Sequence, residues 1–215
     1  VTKIKICGLQ SVEVLKSIQA LPIDLIGFVF AASRRQVTLK QARMLVREVP
    51  SSMGKVGVFV NPTRDELDAI LAEVPLTHLQ LHGQEAPAFC AELSCRYRVK
   101  VIKALPVKSL SELEADISRY KGTVDGFLFD TFHPSQSGGT GRRFSWDLIP
   151  QMQFLIGETP YWIAGGLNPE NVGDLLRMYR PYGVDVSSGV ETNGSKDIHK
   201  IAQFVEKVRM HDATN

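Results

Sequence analysis

Short apolar runs alternate with amphipathic stretches along nearly the whole chain. "KIKIC" is followed by "SVEVLKSIQA", "LIGFVF" by "TLKQARMLVREV", "KVGVFV" by "TRDELDAILAEV", and "HLQLH" by "EAPAFCAELS". The order then repeats: "RVKVIKAL" before "SLSELEADISRY", "VDGFLFD" before "SWDLIPQM", "YWIAGGL" before "NPENVGDLLRMY", and "GVDVSSG" before "KDIHKIAQFVEKVRM". The first member of each pair suits a strand and the second has the period of a helix. Polar residues mark the switches. Ser11, Thr38, Thr63 and Asn168 each stand at the head of a helical run, where a side-chain oxygen can accept from free backbone N–H groups. Pro169 suits a first helical position. Eight strand–helix units with no break in composition predict a parallel sheet covered by helices. Eight units in a chain of this size, about 200–250 residues, predict a closed (β/α)8 barrel, one domain over residues 1–215. A doubly wound open sheet is the alternative architecture.

The polar positions inside the strands say which way each strand faces. In "HLQLH", His78, Gln80 and His82 share one face and Leu79 and Leu81 the other. The outer face of a barrel strand meets helices and must be apolar, so the polar face points inward. The same parity sends Cys7 inward above Lys5, and Asp130 inward at the end of "FLFD", with Phe127 and Phe129 turned outward. Chemistry in such a barrel collects at the C-terminal strand ends. Here those ends are Cys7, His82 and Asp130, followed by Gly165-Gly166 after the seventh strand and Ser187-Ser188-Gly189 after the eighth. Backbone N–H groups at such turns bind phosphate, and the loops after strands seven and eight are its usual place. Together the two turns point to a small phosphorylated ligand. The glycine-rich segment Ser135 to Phe144 reads as a mobile lid over Asp130.

Plainer roles compete for these residues. A lone strand cysteine is ordinarily a small buried hydrophobe, and a strand-end aspartate often caps the next turn. Lys5 can be a core lysine paired with Asp185 on the eighth strand, and Arg34 and Arg35 can be solvated loop charges. His78 and His82 lack a third ligand for a metal. Cys90 and Cys95, in a helical run, read as packing residues.

Composition narrows the partners. The chain is 44% hydrophobic and 22% charged, the balance of a soluble globular protein. A net charge of +2 with no basic stripe argues against nucleic acid. No apolar run approaches the roughly 18 residues of a membrane span, and no apolar signal region opens the sequence. Three cysteines with no paired framework fit a reducing cytoplasm.

The stretches "KIKICGL", "GFVFAASRRQV", "VGVFVN", "LQLHG", "LFDT", "GGTGRRFSW", "AGGLNPENV" and "VDVSSGVE" occur in an order and spacing that resembles the phosphoribosylanthranilate isomerase family of tryptophan biosynthesis. The resemblance runs from the first strand to the last helix. It implies a TIM barrel and an Amadori rearrangement of N-(5-phosphoribosyl)anthranilate to 1-(2-carboxyphenylamino)-1-deoxyribulose 5-phosphate, with no metal and no cofactor. It also implies Cys7 as general base, Asp130 as general acid, and Arg35 as partner of the anthranilate carboxylate. The loops carrying Gly165, Gly166, Ser187, Ser188 and Gly189 would hold the phosphate. Gln80, His82 and Asp185 join them as expected substrate contacts, and a monomer or homodimer is expected. "GRRFSW" stands where the family more usually has "GKTFDW", so Arg143 and Ser145 carry no assigned role.

Two rival functions remain on the residues. One is the related phosphosugar isomerase of histidine biosynthesis, which resembles a two-aspartate system; Cys7 at the end of the first strand argues against it. The other is a non-catalytic barrel that binds a phosphorylated ligand, against which both Cys7 and Asp130 stand.

Overall fold

The computed structural model describes residues 1–131 and 145–214, apart from the side chain of Thr131. Its strands are β1 (Lys3–Cys7), β2 (Leu25–Val29), β3 (Gly54–Phe59), β4 (His78–Leu81), β5 (Lys100–Val107), β6 (Gly126–Thr131), β7 (Tyr161–Ile163) and β8 (Gly183–Val186). They are hydrogen-bonded in sequence order and close into a barrel, all parallel, with β8 returning to β1. Between them run α1 (Val12–Ile18), α2 (Leu39–Arg47), α3 (Arg64–Glu73), α4 (Pro87–Tyr97), α5 (Leu110–Tyr120), α6 (Ile149–Ile156) and α7 (Val172–Met178). A two-stranded hairpin, β9 (Glu191–Thr192) and β10 (Ser195–Lys196), precedes the last helix, α8 (Ile198–Ala213).

Side-chain parity divides the apolar residues into two bodies. Outward residues such as Ile4, Ile6, Leu79, Leu81, Phe127 and Phe129 are fully buried against the helices. Inward residues, among them Cys7, Leu25, Val56, Val58, Ile102, Leu128 and Trp162, form a separate plug inside the barrel. A barrel interior of this kind is packed rather than hollow.

Three of the expected caps act as such. Ser11, Thr38 and Thr63 accept from the backbone N–H of Val14, Gln41 and Glu66, and the last two complete reciprocal capping boxes. The fourth is displaced. Asn168 caps a turn, its Oδ1 accepting from the N–H groups of Glu170 and Asn171, and α7 starts only at Val172. Pro169 therefore lies before the helix rather than at its first position. Cys90 packs in the core as expected, but Cys95 is exposed. Its position on α4 falls outside the buried stripe formed by Cys90 and Leu93.

The two chain ends meet on the N-terminal side of the barrel. Arg209 of α8 donates to the carbonyl oxygens of Thr2 and Pro22 and to Asp24 and Asp212. Asp24 also accepts from Lys3 and from the N–H of Ile4, so the last helix is tied to the first strand.

Candidate active site

Cys7 ends β1 inside the barrel and is 7% exposed. Its strand neighbour is Gly27. A Cβ at Gly27 would lie 2.8 Å from the Cys7 sulfur, so glycine makes the room for the thiol. Gly8 follows with φ +80°, a left-handed turn that suits glycine, and a Cβ there would meet Arg35 Cδ at 2.6 Å. "KICG" thus turns the chain away from the thiol while letting the Arg35 side chain lie against the turn.

Below the thiol, Lys5 is completely buried and donates to Asp185 Oδ1 at 2.9 Å. Burial pushes the Cys7 thiol above its ordinary range; Lys5 and, more weakly, Lys196 work against that push, while Asp185 adds to it. Lys5 itself stays protonated: burial opposes its charge, but Asp185 and Cys7 together raise it. Asp185 is thus the inward acid that pairs with Lys5, through Oδ1, and it keeps 8% exposure.

Asp130 is the penultimate residue of β6, half-buried, opposite Pro106 in the register with β5. It lies on the inward parity, alternating with the outward Phe127 and Phe129. The expected lid over it, Ser135 to Phe144, lies outside the described residues, as does Arg143. Ser145 donates to Asp147 at the start of the turn before α6.

Gln80 and His82 come together on the β4 side. Gln80 Nε2 lies 2.5 Å from His82 Nε2, and Gln80 Oε1 is buried with no partner among the described residues. Burial, aided by Lys5 and Lys103, pushes His82 down to about 3, so the imidazole is neutral at physiological pH.

The turns after β7 and β8 form one unit. Gly165 and Gly166 both have positive φ. A Cβ on Gly189 would overlap the Leu167 carbonyl oxygen, so the second turn lies directly against the first. Ser187 donates to the Cys7 carbonyl oxygen at 3.1 Å and accepts from Lys196, so its hydroxyl is already engaged. Among the described residues, no three His, Cys, Asp or Glu side chains gather as a metal site.

The sequence reading missed the hairpin and two residues on it. Glu191 accepts from Arg35 through Nε at 2.7 Å and Nη2 at 3.1 Å, from Arg34 at 2.6 Å and from Lys196 at 2.8 Å. Burial opposes its charge, yet Arg35 and Lys196 hold its carboxyl below the usual range. The missed signal was "ETNGSK". An Asn-Gly pair between two short extended runs marks a two-residue hairpin, and Asn193 and Gly194 both take the positive φ that such a turn requires.

Comparison with known proteins places this geometry. The sequence profile of the family described as N-(5'phosphoribosyl)anthranilate (PRA) isomerase matches residues 4–207. An N-(5'-phosphoribosyl)anthranilate isomerase of Brevibacillus brevis is 47% identical over 211 residues, 98% of this chain and 95% of its own. One from Listeria welshimeri is 46% identical over 206 residues, 96% of this chain and 98% of its own. The crystal structure of phosphoribosyl anthranilate isomerase from Thermotoga maritima superposes with a TM-score of 0.85 at 34% identity, covering 98% of this chain and all of that one. A crystal structure of the isomerase in complex with reduced 1-(o-carboxyphenylamino)-1-deoxyribulose 5-phosphate gives 0.83 at 33% identity, with the same coverage. A barrel with an inward thiol at the end of its first strand, matched along almost its full length, belongs to the N-(5'-phosphoribosyl)anthranilate isomerase family.

Proposed function

We propose that this chain catalyses the Amadori rearrangement of N-(5'-phosphoribosyl)anthranilate in tryptophan biosynthesis, with Asp130 as general acid and Cys7 as general base. The observation that carries the residue assignment is the placement of both groups on inward positions at the C-terminal ends of β1 and β6. Asp130 gives its proton to the furanose ring oxygen as the C1–O bond breaks, and the aniline nitrogen supplies the electron pair. The product of that step is an open-chain Schiff base. The Cys7 thiolate then takes the proton from C2, and the electrons of the C–H bond flow to the imine, giving an enolamine. Tautomerisation of the enolamine to the ketone completes the isomerisation. One acid and one base on an anchored sugar are sufficient for this sequence.

Charge placement supports the division of labour. A buried thiol is a poor base at neutral pH unless its anion is favoured. Burial holds the Cys7 thiol above its ordinary range, and Lys5 directly below, with Lys196, offsets part of that cost to the anion. Arg35, 9% exposed and lying against Gly8, takes the anthranilate carboxylate. The phosphate sits at the turns carrying Gly165, Gly166, Ser187, Ser188 and Gly189, where backbone N–H groups suit an anion. Gln80 and His82, side by side at the end of β4, are assigned to the sugar. Three cysteines with no paired framework favour a reducing cytoplasm as its location.

The test follows the fluorescence of phosphoribosylanthranilate with purified protein. Rapid loss of signal with wild type and none with Cys7→Ala is expected. Substrate left unconverted by folded wild-type protein would overturn the reading.

A further inference from the structure

We infer that Glu191 is a positioning residue that fixes the edge of Arg35 offered to the substrate carboxylate and ties that arginine to the turn after β8. The inference rests on the reading of Arg35 as the carboxylate's partner. A guanidinium presents two bidentate edges, one from Nε with Nη2 and one from Nη1 with Nη2. Glu191 occupies the first, Oε1 accepting from Nε and Oε2 from Nη2. The second edge is the one left to meet a second carboxylate in the same planar, two-point manner.

The same Glu191 reaches further. Oε1 also accepts from Lys196, whose ammonium donates to the Ser187 carbonyl oxygen at 2.8 Å and Oγ at 3.2 Å. Ser187 in turn donates to the backbone of Cys7. One carboxylate, 5% exposed, therefore joins the loop after β2, the hairpin, the turn after β8 and the end of β1. Glu191 faces three cations, Arg34, Arg35 and Lys196, so the cluster keeps a surplus of positive charge. Such a surplus in a half-buried place is costly alone and favourable beside an anionic ligand. A substrate carrying a carboxylate at one end and a phosphate at the other fits that field.

Calorimetric titration separates this from a merely structural role. The ligands are reduced 1-(o-carboxyphenylamino)-1-deoxyribulose 5-phosphate and the same compound lacking the carboxylate. In wild type the carboxylated ligand binds more tightly. Glu191→Gln is expected to erase at least tenfold of that preference, leave the affinity of the decarboxylated ligand within about threefold, and raise KM more than it lowers kcat. Equal losses for both ligands, or an unchanged preference, overturn the inference. Arg35→Ala is the control on the reading beneath it. If Arg35→Ala keeps the preference, the Arg35 assignment itself fails; if it loses the preference while Glu191→Gln keeps it, only the Glu191 inference fails. Should Glu191→Gln not fold, Glu191→Asp keeps the charge but shortens the arm. It is expected to lose part of the preference, and a full preference in that variant overturns the inference.

Discussion

Lys103 and Glu85 form an ion pair at 2.9 Å, and each side chain is 1% exposed. Lys103 points outward from β5 and spends its other two protons on the carbonyl oxygens of Leu81 and Gly83. Glu85 accepts from the N–H groups of Asn61 and Gly83 with its other oxygen. The pair therefore fastens the turn after β3 and the segment carrying His82 to the wall of the barrel.

Breaking a satisfied buried pair leaves one charge stranded, at a cost of about 3–5 kcal/mol. Lys103→Met is expected to destabilise the protein by an amount of that order in urea unfolding. Lys103→Met with Glu85→Gln is expected to recover part of it, because the stranded charge is gone. A single-variant loss below about 1 kcal/mol, the range of exposed pairs, would show that the pair is not sealed from water.

Cys7→Ala removes the proposed base and nothing that supports the barrel beyond a small buried sulfur. Activity should fall by at least the roughly 10²–10⁴-fold that a positioned base contributes. Product affinity should persist. Activity within about tenfold of wild type, equivalent to roughly 1.4 kcal/mol of barrier, would remove Cys7 from the role.

Asp130→Asn keeps the shape of the side chain and loses the transferable proton. Folding by circular dichroism and product binding should remain close to wild type while kcat falls by about 10²-fold or more. A folded variant with near wild-type kcat would redirect the search for the acid to a water held near Gln80 and His82.

Acid sensitivity should trace in part to His82. Its folded value of about 3 lies below the unfolded value near 6.5, so between these limits the unfolded chain binds the extra proton. Stability is then fully present above about pH 6.5 and falls as the solution is acidified toward pH 3. His82→Gln should show a shallower loss of stability between pH 7 and pH 5 than wild type, read from urea midpoints at each pH. Parallel slopes for the two proteins would show that His82 protonates freely in the fold.

Much of this architecture was legible because parity in a strand is strict. The single alternation in "HLQLH" and "KIKIC" was enough to send Gln80 and Cys7 inward and Leu79 and Ile6 outward, and the two apolar bodies of the fold follow that division. Contacts between distant segments were less legible. Arg35 and Glu191 lie 156 positions apart, and neither residue carries a local pattern that names the other. The hairpin that delivers Glu191 did have a local sign, Asn193-Gly194, but its strands are only two residues each, too short for an alternation to register. The start of α7 was misplaced for a related reason. Asn168 and Pro169 have the chemistry of a helix start, and here that chemistry closes an isolated turn three residues earlier.

Gly189 lies against Leu167 so tightly that even a methyl group would force the two turns apart. The turns after β7 and β8 are therefore one mechanical part inherited from two places in the sequence. A chimera that imports either turn alone from a relative would pair surfaces shaped for different neighbours, whereas importing both would carry the fit along.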